Sequence, residues 1–148
     1  MTTQNANPCL AAAQQIIAGA LAEARSRSAM AMAVIVLDAG GHTVAFARED
    51  DASLFRHDIA RAKALGALGM GMDTRTLSAR AAANPVFFQS LATAVGGNVA
   101  FSPGGVLIRD EAGKIIGAVG ISGDLGDCDE ECAFAGLRSA GLLGKAEE

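Results

Sequence analysis

The chain has 148 residues, 51% hydrophobic, 19% charged and 4% aromatic, with a formal net charge of −4 and an isoelectric point near 5.1. A chain of this length buries roughly 68–70% of its unfolded surface, enough for a single domain over residues 1–148 without disulfides or a structural metal. The low charge and positive mean hydropathy exclude intrinsic disorder, and no run of four or more Lys and Arg marks a nucleic-acid footprint.

The longest apolar run, Ala29 to Leu37, is half of what a membrane span needs, so no membrane partner is expected. Met1 to Asn7 carries no Lys or Arg, which argues against a secretory signal and makes the cytoplasm the default location. Three Cys, an odd number, are expected as reduced thiols.

In chain order, Pro8 to Arg27 places Leu10, Ala13, Ile16, Ile17, Ala20, Leu21 and Ala24 at helical spacing, with Asn7 as N-cap and Pro8 in the first turn. The β-branched run Met32–Leu37 and the segment His42–Phe46 predict a hairpin around Asp38-Ala-Gly-Gly41. Ser53 to Met72 returns to helical spacing with a small interior of Ala60, Ala62, Ala64, Gly66, Ala67, Gly69 and Gly71. Such glycines cost about 1 kcal/mol each against Ala, so a close neighbour is expected to compensate.

Asp73 or Thr74 caps a short helix to Ala83, and Asn84-Pro85 separates it from a helical segment, Val86 to Val95, that ends at Gly96-Gly97. An extended piece, Asn98 to Phe101, leads through Ser102-Pro-Gly-Gly105 to strands Val106–Arg109 and Lys114–Ile121, and a last helix opens at Asp127 or Asp129 and runs to Ala140. Asp38-x-x-Gly41 and Asp110-x-x-Gly113 repeat one turn recipe, with Asp opening the turn and Gly taking a left-handed position. The order helix, hairpin, helices, hairpin, helix predicts an α+β fold built on an antiparallel sheet.

The motifs Val34-Ile-Val-Leu-Asp-Ala-Gly-Gly-His42, Phe46-x-Arg48-x-Asp50, Ile59-Ala60-x-x-Lys63-Ala64, Pro103-Gly-Gly-Val106, and Gly117-Ala-Val-Gly-Ile-Ser-Gly123 with Asp129-Glu130 and Ala135-Gly136 resemble the GlcG/HbpS family, which includes the C-terminal domain of PduO-type proteins. The resemblance spans Ala31 to Leu137. It implies a profilin-like antiparallel sheet flanked by helices on both sides, a homo-oligomer and, for some members, binding of haem or a related small molecule. Arg48-Glu-Asp-Asp-Ala52 departs from the family's Arg-Met-Asp-Gly-Ala by two added carboxylates.

Several residues are candidates for the chemistry. His57, beside Arg56 and near Phe55, is the axial candidate for haem, with Arg56, Arg61 or Lys63 for propionates; the alternative is an exposed His paired with Asp58. Lys63, among Ala60, Ala62, Ala64 and Ala67, is expected at a pocket as an anion clamp or a base of lowered pKa, or else as a stem over apolar surface with a hydrated head. Gly104 and Gly105, with Ser122 and Gly123, offer backbone N–H groups to a carboxylate or else form turns. The acidic cluster Asp124, Asp127, Asp129, Glu130 and Glu131 suits a helix start.

No metal site is expected, since Cys128 and Cys132 at i,i+4 lack partners at metal-ligand spacing. The sequence therefore leads to a small oligomeric protein binding haem or another small anionic metabolite in support of a catabolic or cofactor-related pathway. The alternatives are a pure assembly module and a cofactor-independent acid–base enzyme, an isomerase, hydratase or ring-opening enzyme acting on a small carboxylated substrate. The enzyme would use Lys63, Arg48 and an acid, Asp50 or Asp129, with Arg48 also among the ligand-binding candidates.

Overall fold

The computed structural model describes residues 8–142, which form five helices and four strands. Helix α1 spans Leu10–Ser26, strands β1 and β2 span Ala33–Asp38 and Thr43–Arg48, and helices α2, α3 and α4 span Arg56–Met70, Thr74–Ala83 and Pro85–Ala94. Strands β3 (Gly105–Arg109) and β4 (Ile115–Ser122) precede helix α5, Gly126–Ser139. The expected N-cap, Asn7, lies outside the described residues; Cys9 occupies the N-cap of α1, its Sγ accepting from the Ala12 N–H.

All strand pairs are antiparallel, in the order β2-β1-β4-β3, so the fold is α+β with an open sheet. The sheet divides two cores. Val34, Val36, Val106, Ile108, Val119 and Ile121 face α1 and α5, meeting Ile16, Ala20, Ala133 and Leu137. Successive residues of a strand point to opposite faces, so Ala33, Ile35, Leu37, Leu107 and Ala118 face the alanines of α2, Ala60, Ala64 and Ala67.

Small residues set the layer spacing. A Cβ on Gly120 of β4 would run into the Ala60 carbonyl of α2, and one on Gly136 of α5 would run into the Ile16 carbonyl of α1. The compensation expected for the small-residue helix is found as the close approach of the sheet on its alanine face and of Val99 at Gly66, but not at Gly69 or Gly71, where a Cβ would meet nothing within 4 Å. Gly71, at φ 72°, closes α2 as a left-handed C-cap.

The repeated turn recipe has the same geometry twice. Asp38 Oδ1 accepts from the N–H groups of Gly40 (2.9 Å) and His42 (3.0 Å), and Asp110 Oδ1 accepts from Ala112 and Lys114 (both 2.9 Å). Gly41 and Gly113 follow at φ 84° and 88°, and each hairpin carries a register shift beside its turn. Asn98–Phe101, expected to be extended, forms no strand; β3 starts only at Gly105, where pairing with β4 begins.

Candidate functional site

Strand β2 lies at the edge of the sheet and is the least buried strand. Residues opposite one another in a ladder share a face. Arg48 lies opposite Ala33, and Phe46 opposite Ile35, so both belong to the face that α2 covers further in. His57, in the first turn of α2, meets the Phe46 ring edge-on, with centroids 4.8 Å apart at 87°. Its Nδ1 lies 3.0 Å from Asp58 Oδ1.

A carboxylate only accepts, so the proton of that bond belongs to Nδ1, and a neutral ring then presents Nε2 as a lone pair. The imidazole is 45% exposed. Arg61 follows one turn later on the same flank, and Leu54 and Phe55 stand exposed just before the helix. His42, at the β1–β2 turn, pairs with Asp38 and is far more exposed.

Lys63 and Asp129 form a second cluster. The Lys63 Nζ donates to the carbonyls of Pro103 (2.9 Å) and Ile121 (2.8 Å) and to Asp129 Oδ2 (3.1 Å), with the two side chains 3% and 2% exposed. Its three N–H bonds match three acceptors, so the ammonium is saturated from within the fold. The reading of Lys63 as a stem with a hydrated head does not describe this geometry. Burial pushes the Lys63 ammonium down and the Asp129 carboxyl up, each opposed by the other's charge.

The glycines surround this pair. Gly104 has φ 130°, and a Cβ there would lie 2.8 Å from Lys63 Nζ; a Cβ on Gly105 would strike the Lys63 carbonyl. The Gly105 N–H donates to Thr74 Oγ1 (2.8 Å). The N–H groups of Gly123 and Asp124 donate to Asp129, so the carboxylate in that backbone nest is the chain's own. Ser122 accepts from Arg56 Nη1 (3.1 Å), which draws Arg56 toward the end of β4.

Arg48 and Asp50 lie apart from Lys63 and Asp129. With Arg25, Ala31, Glu49 and Asp51 they line an open cleft of about 540 Å³, in which Arg25 pairs with Glu49 and Arg48 Nη1 donates to the Ala52 carbonyl. In the acidic cluster, Asp127 and Glu130 hold Arg75 of α3 against α5. Among the described residues, no group of three or more His, Cys, Asp or Glu is placed to hold a metal ion.

Sequence reasoning missed Phe46 as the neighbour of His57. The signal was its place two residues before Arg48, on the same face of an edge strand. Of the two acids offered as partners of Lys63, the structure brings up Asp129 and not Asp50, and places the pair in the interior, for which no local spacing gives a signal.

An open antiparallel sheet with α1 and α5 on one face and α2 on the other defines a small α+β protein, and no helix among the described residues is long and apolar enough to cross a membrane. The chain belongs to the HbpS-like family, whose model, described as haem degrading protein HbpS-like, matches residues 9–138. Among solved structures it is similar to the Klebsiella pneumoniae protein ORFY, at 26% identity and a TM-score of 0.85 over 97% of each chain. HbpS aligns at 27% identity and a TM-score of 0.79, covering 97% of this chain and 95% of the other. The protein of a PduOC–haem complex aligns at 25% identity and a TM-score of 0.83, covering 93% and 97%. No curated protein matches the chain.

Proposed function

We propose that this protein binds haem, or another planar ligand bearing carboxylates, on the flank between β2 and the first turns of α2. The observation that carries this reading is the setting of His57: Asp58 engages Nδ1 and Phe46 meets the ring edge-on, an arrangement that would leave Nε2 to ligate. Phe46, Leu54 and Phe55 supply exposed apolar surface for a macrocycle, and Arg48 and Arg61 supply guanidinium groups for its carboxylates. Haem, when bound, would supply an iron that the His57 imidazole could hold. The similarity to a haem-complexed relative supports the same ligand class.

The rival reading, a cofactor-independent acid–base enzyme, needs a lysine or carboxylate facing substrate. Lys63 and Asp129 are occupied with each other and with backbone, and Arg48 and Asp50 line an open cleft without the lysine, so the set the enzyme needs is divided, which favours binding over that chemistry. Hemin titration of the full chain tests the proposal. A sharpened Soret band is expected for the wild type and His42→Ala, and a weakened one for His57→Ala; identical spectra in both variants would remove histidine ligation.

The protein is further proposed to be a homo-oligomer that meets its own copy through α4. Of the ten residues of that helix only Phe88 is buried, while Val86 is 75% and Phe87 51% exposed. No Asp, Glu, Lys or Arg occurs between Arg80 and Arg109. Two copies of an acidic chain approach most readily through an uncharged face, and an isologous contact brings the same patch to itself. The three free cysteines suit a reducing compartment, and the cytoplasm is the proposed setting.

A further inference from the structure

The haem reading leaves Cys128 and Cys132 unused. They stand one turn apart on α5, Cys128 half-buried and Cys132 within the core against α1. A helix holds the Cβ atoms of such a pair about 5–6 Å apart. A disulfide needs about 3.5–4.5 Å. Oxidation to a disulfide therefore requires opening a turn of α5, whereas one atom shared between the two sulfurs does not.

We propose that Cys128 and Cys132 form a two-thiolate site for a soft metal ion of low coordination number, of the class of monovalent copper. Thiolate ligands select soft ions of this kind. Zinc takes four ligands in a structural site, and among the described residues no third or fourth His, Cys, Asp or Glu joins this pair. Monovalent copper is satisfied by two sulfurs. Its uptake balances without electron transfer: two thiols and one Cu⁺ give a bis-thiolate of single negative charge, and two protons leave to solvent.

Charges are arranged on both sides of the pair. Burial pushes both thiols up, Cys132 to about 12, so the ion must displace protons that the fold holds; Arg27, which bonds Glu23 and reaches Glu131, is within electrostatic range of both sulfurs and acts against that rise. Asp124 and Asp129 act in the opposite sense, with Asp129 already matched by Lys63. Half-buried Cys128 is the point of entry and buried Cys132 the second ligand.

The test uses the reduced full-length chain under anaerobic conditions, titrated with Cu(I) delivered from a coloured bicinchoninate complex. One Cu(I) per chain is expected for the wild type and for Cys9→Ser, with an ultraviolet thiolate-to-copper band and two sulfur neighbours in X-ray absorption. Cys128→Ser, at a position half open to solvent, is expected to lose the ion while keeping the wild-type circular dichroism spectrum. Copper retained by a folded Cys128→Ser, copper lost in Cys9→Ser, no removal from the probe by the wild type, or a coordination shell without two sulfurs would each overturn the assignment.

Discussion

Lys63 and Asp129 join helices from opposite faces of the sheet, their 3.1 Å ion pair passing around the end of β4. Lys63→Met leaves the Asp129 carboxylate buried without its partner, and the expected loss is about 3–5 kcal/mol. Combining it with Asp129→Leu restores most of that loss, because the two residues are strongly coupled. Urea unfolding of the single and double variants checks both statements; equal destabilisation in the two would refute the coupling.

Asp58 is expected to act on ligand affinity through His57. Asp58→Ala removes the acceptor that fixes the imidazole, and weakening of hemin binding on the order of 10–100-fold is expected, as for outer-shell partners of metal-bound histidines. Hemin titration with thermal melts of the apo-protein separates this from unfolding, since Asp58 is exposed and its loss should leave the melting temperature unchanged.

The Asp38 turn predicts a pH-dependent stability. The His42 N–H, followed by that of Gly40, holds the Asp38 carboxyl below the usual aspartate range against desolvation. A carboxyl with a depressed folded pKa stabilises fully above its unfolded value, and that contribution is lost as pH falls through the folded one. Asp38→Ala should therefore cost roughly 1.5–3 kcal/mol at neutral pH. The gap from the wild type should narrow as the pH is lowered past about 3.9. Denaturation midpoints at a series of pH values give the answer, and a gap that widens in acid would be the wrong sign.

For α4, Phe87→Glu puts a charge at the centre of the proposed self-contact. Sedimentation at micromolar concentration should show an oligomer for the wild type and smaller species for the variant, with unchanged far-ultraviolet circular dichroism. A wild-type monomer would contradict the proposed interface.

Local chemistry made much of the fold legible. Asp38-x-x-Gly41 and Asp110-x-x-Gly113 set two hairpins, and Asn84-Pro85 separated α3 from α4, because those residues act on their own backbone. Less legible was whatever depends on partners distant in sequence. Asn98–Phe101 has an extended composition but gains no ladder, and the starting point of α2 at Arg56 rather than Ser53 is decided outside the segment. At the candidate site, His57 and Arg48 could be nominated from residue type alone. The burial of Lys63 under Asp129 was not, since the two meet only once β4 has placed α5.

The strand order has a consequence for how the chain folds. Each hairpin is local, but β1 and β4, which pair Ala33 with Ser122, come from opposite ends of the sequence. Contacts of such separation form late, after the loop entropy between them has been spent. Helix α2 packs on both strands and seats against Gly120 of β4, so the helix that carries His57 gains its final position only when this seam closes. A ligand held by His57 therefore favours the closed seam over every half-assembled form, and hemin should slow unfolding of the whole domain rather than of the N-terminal hairpin alone.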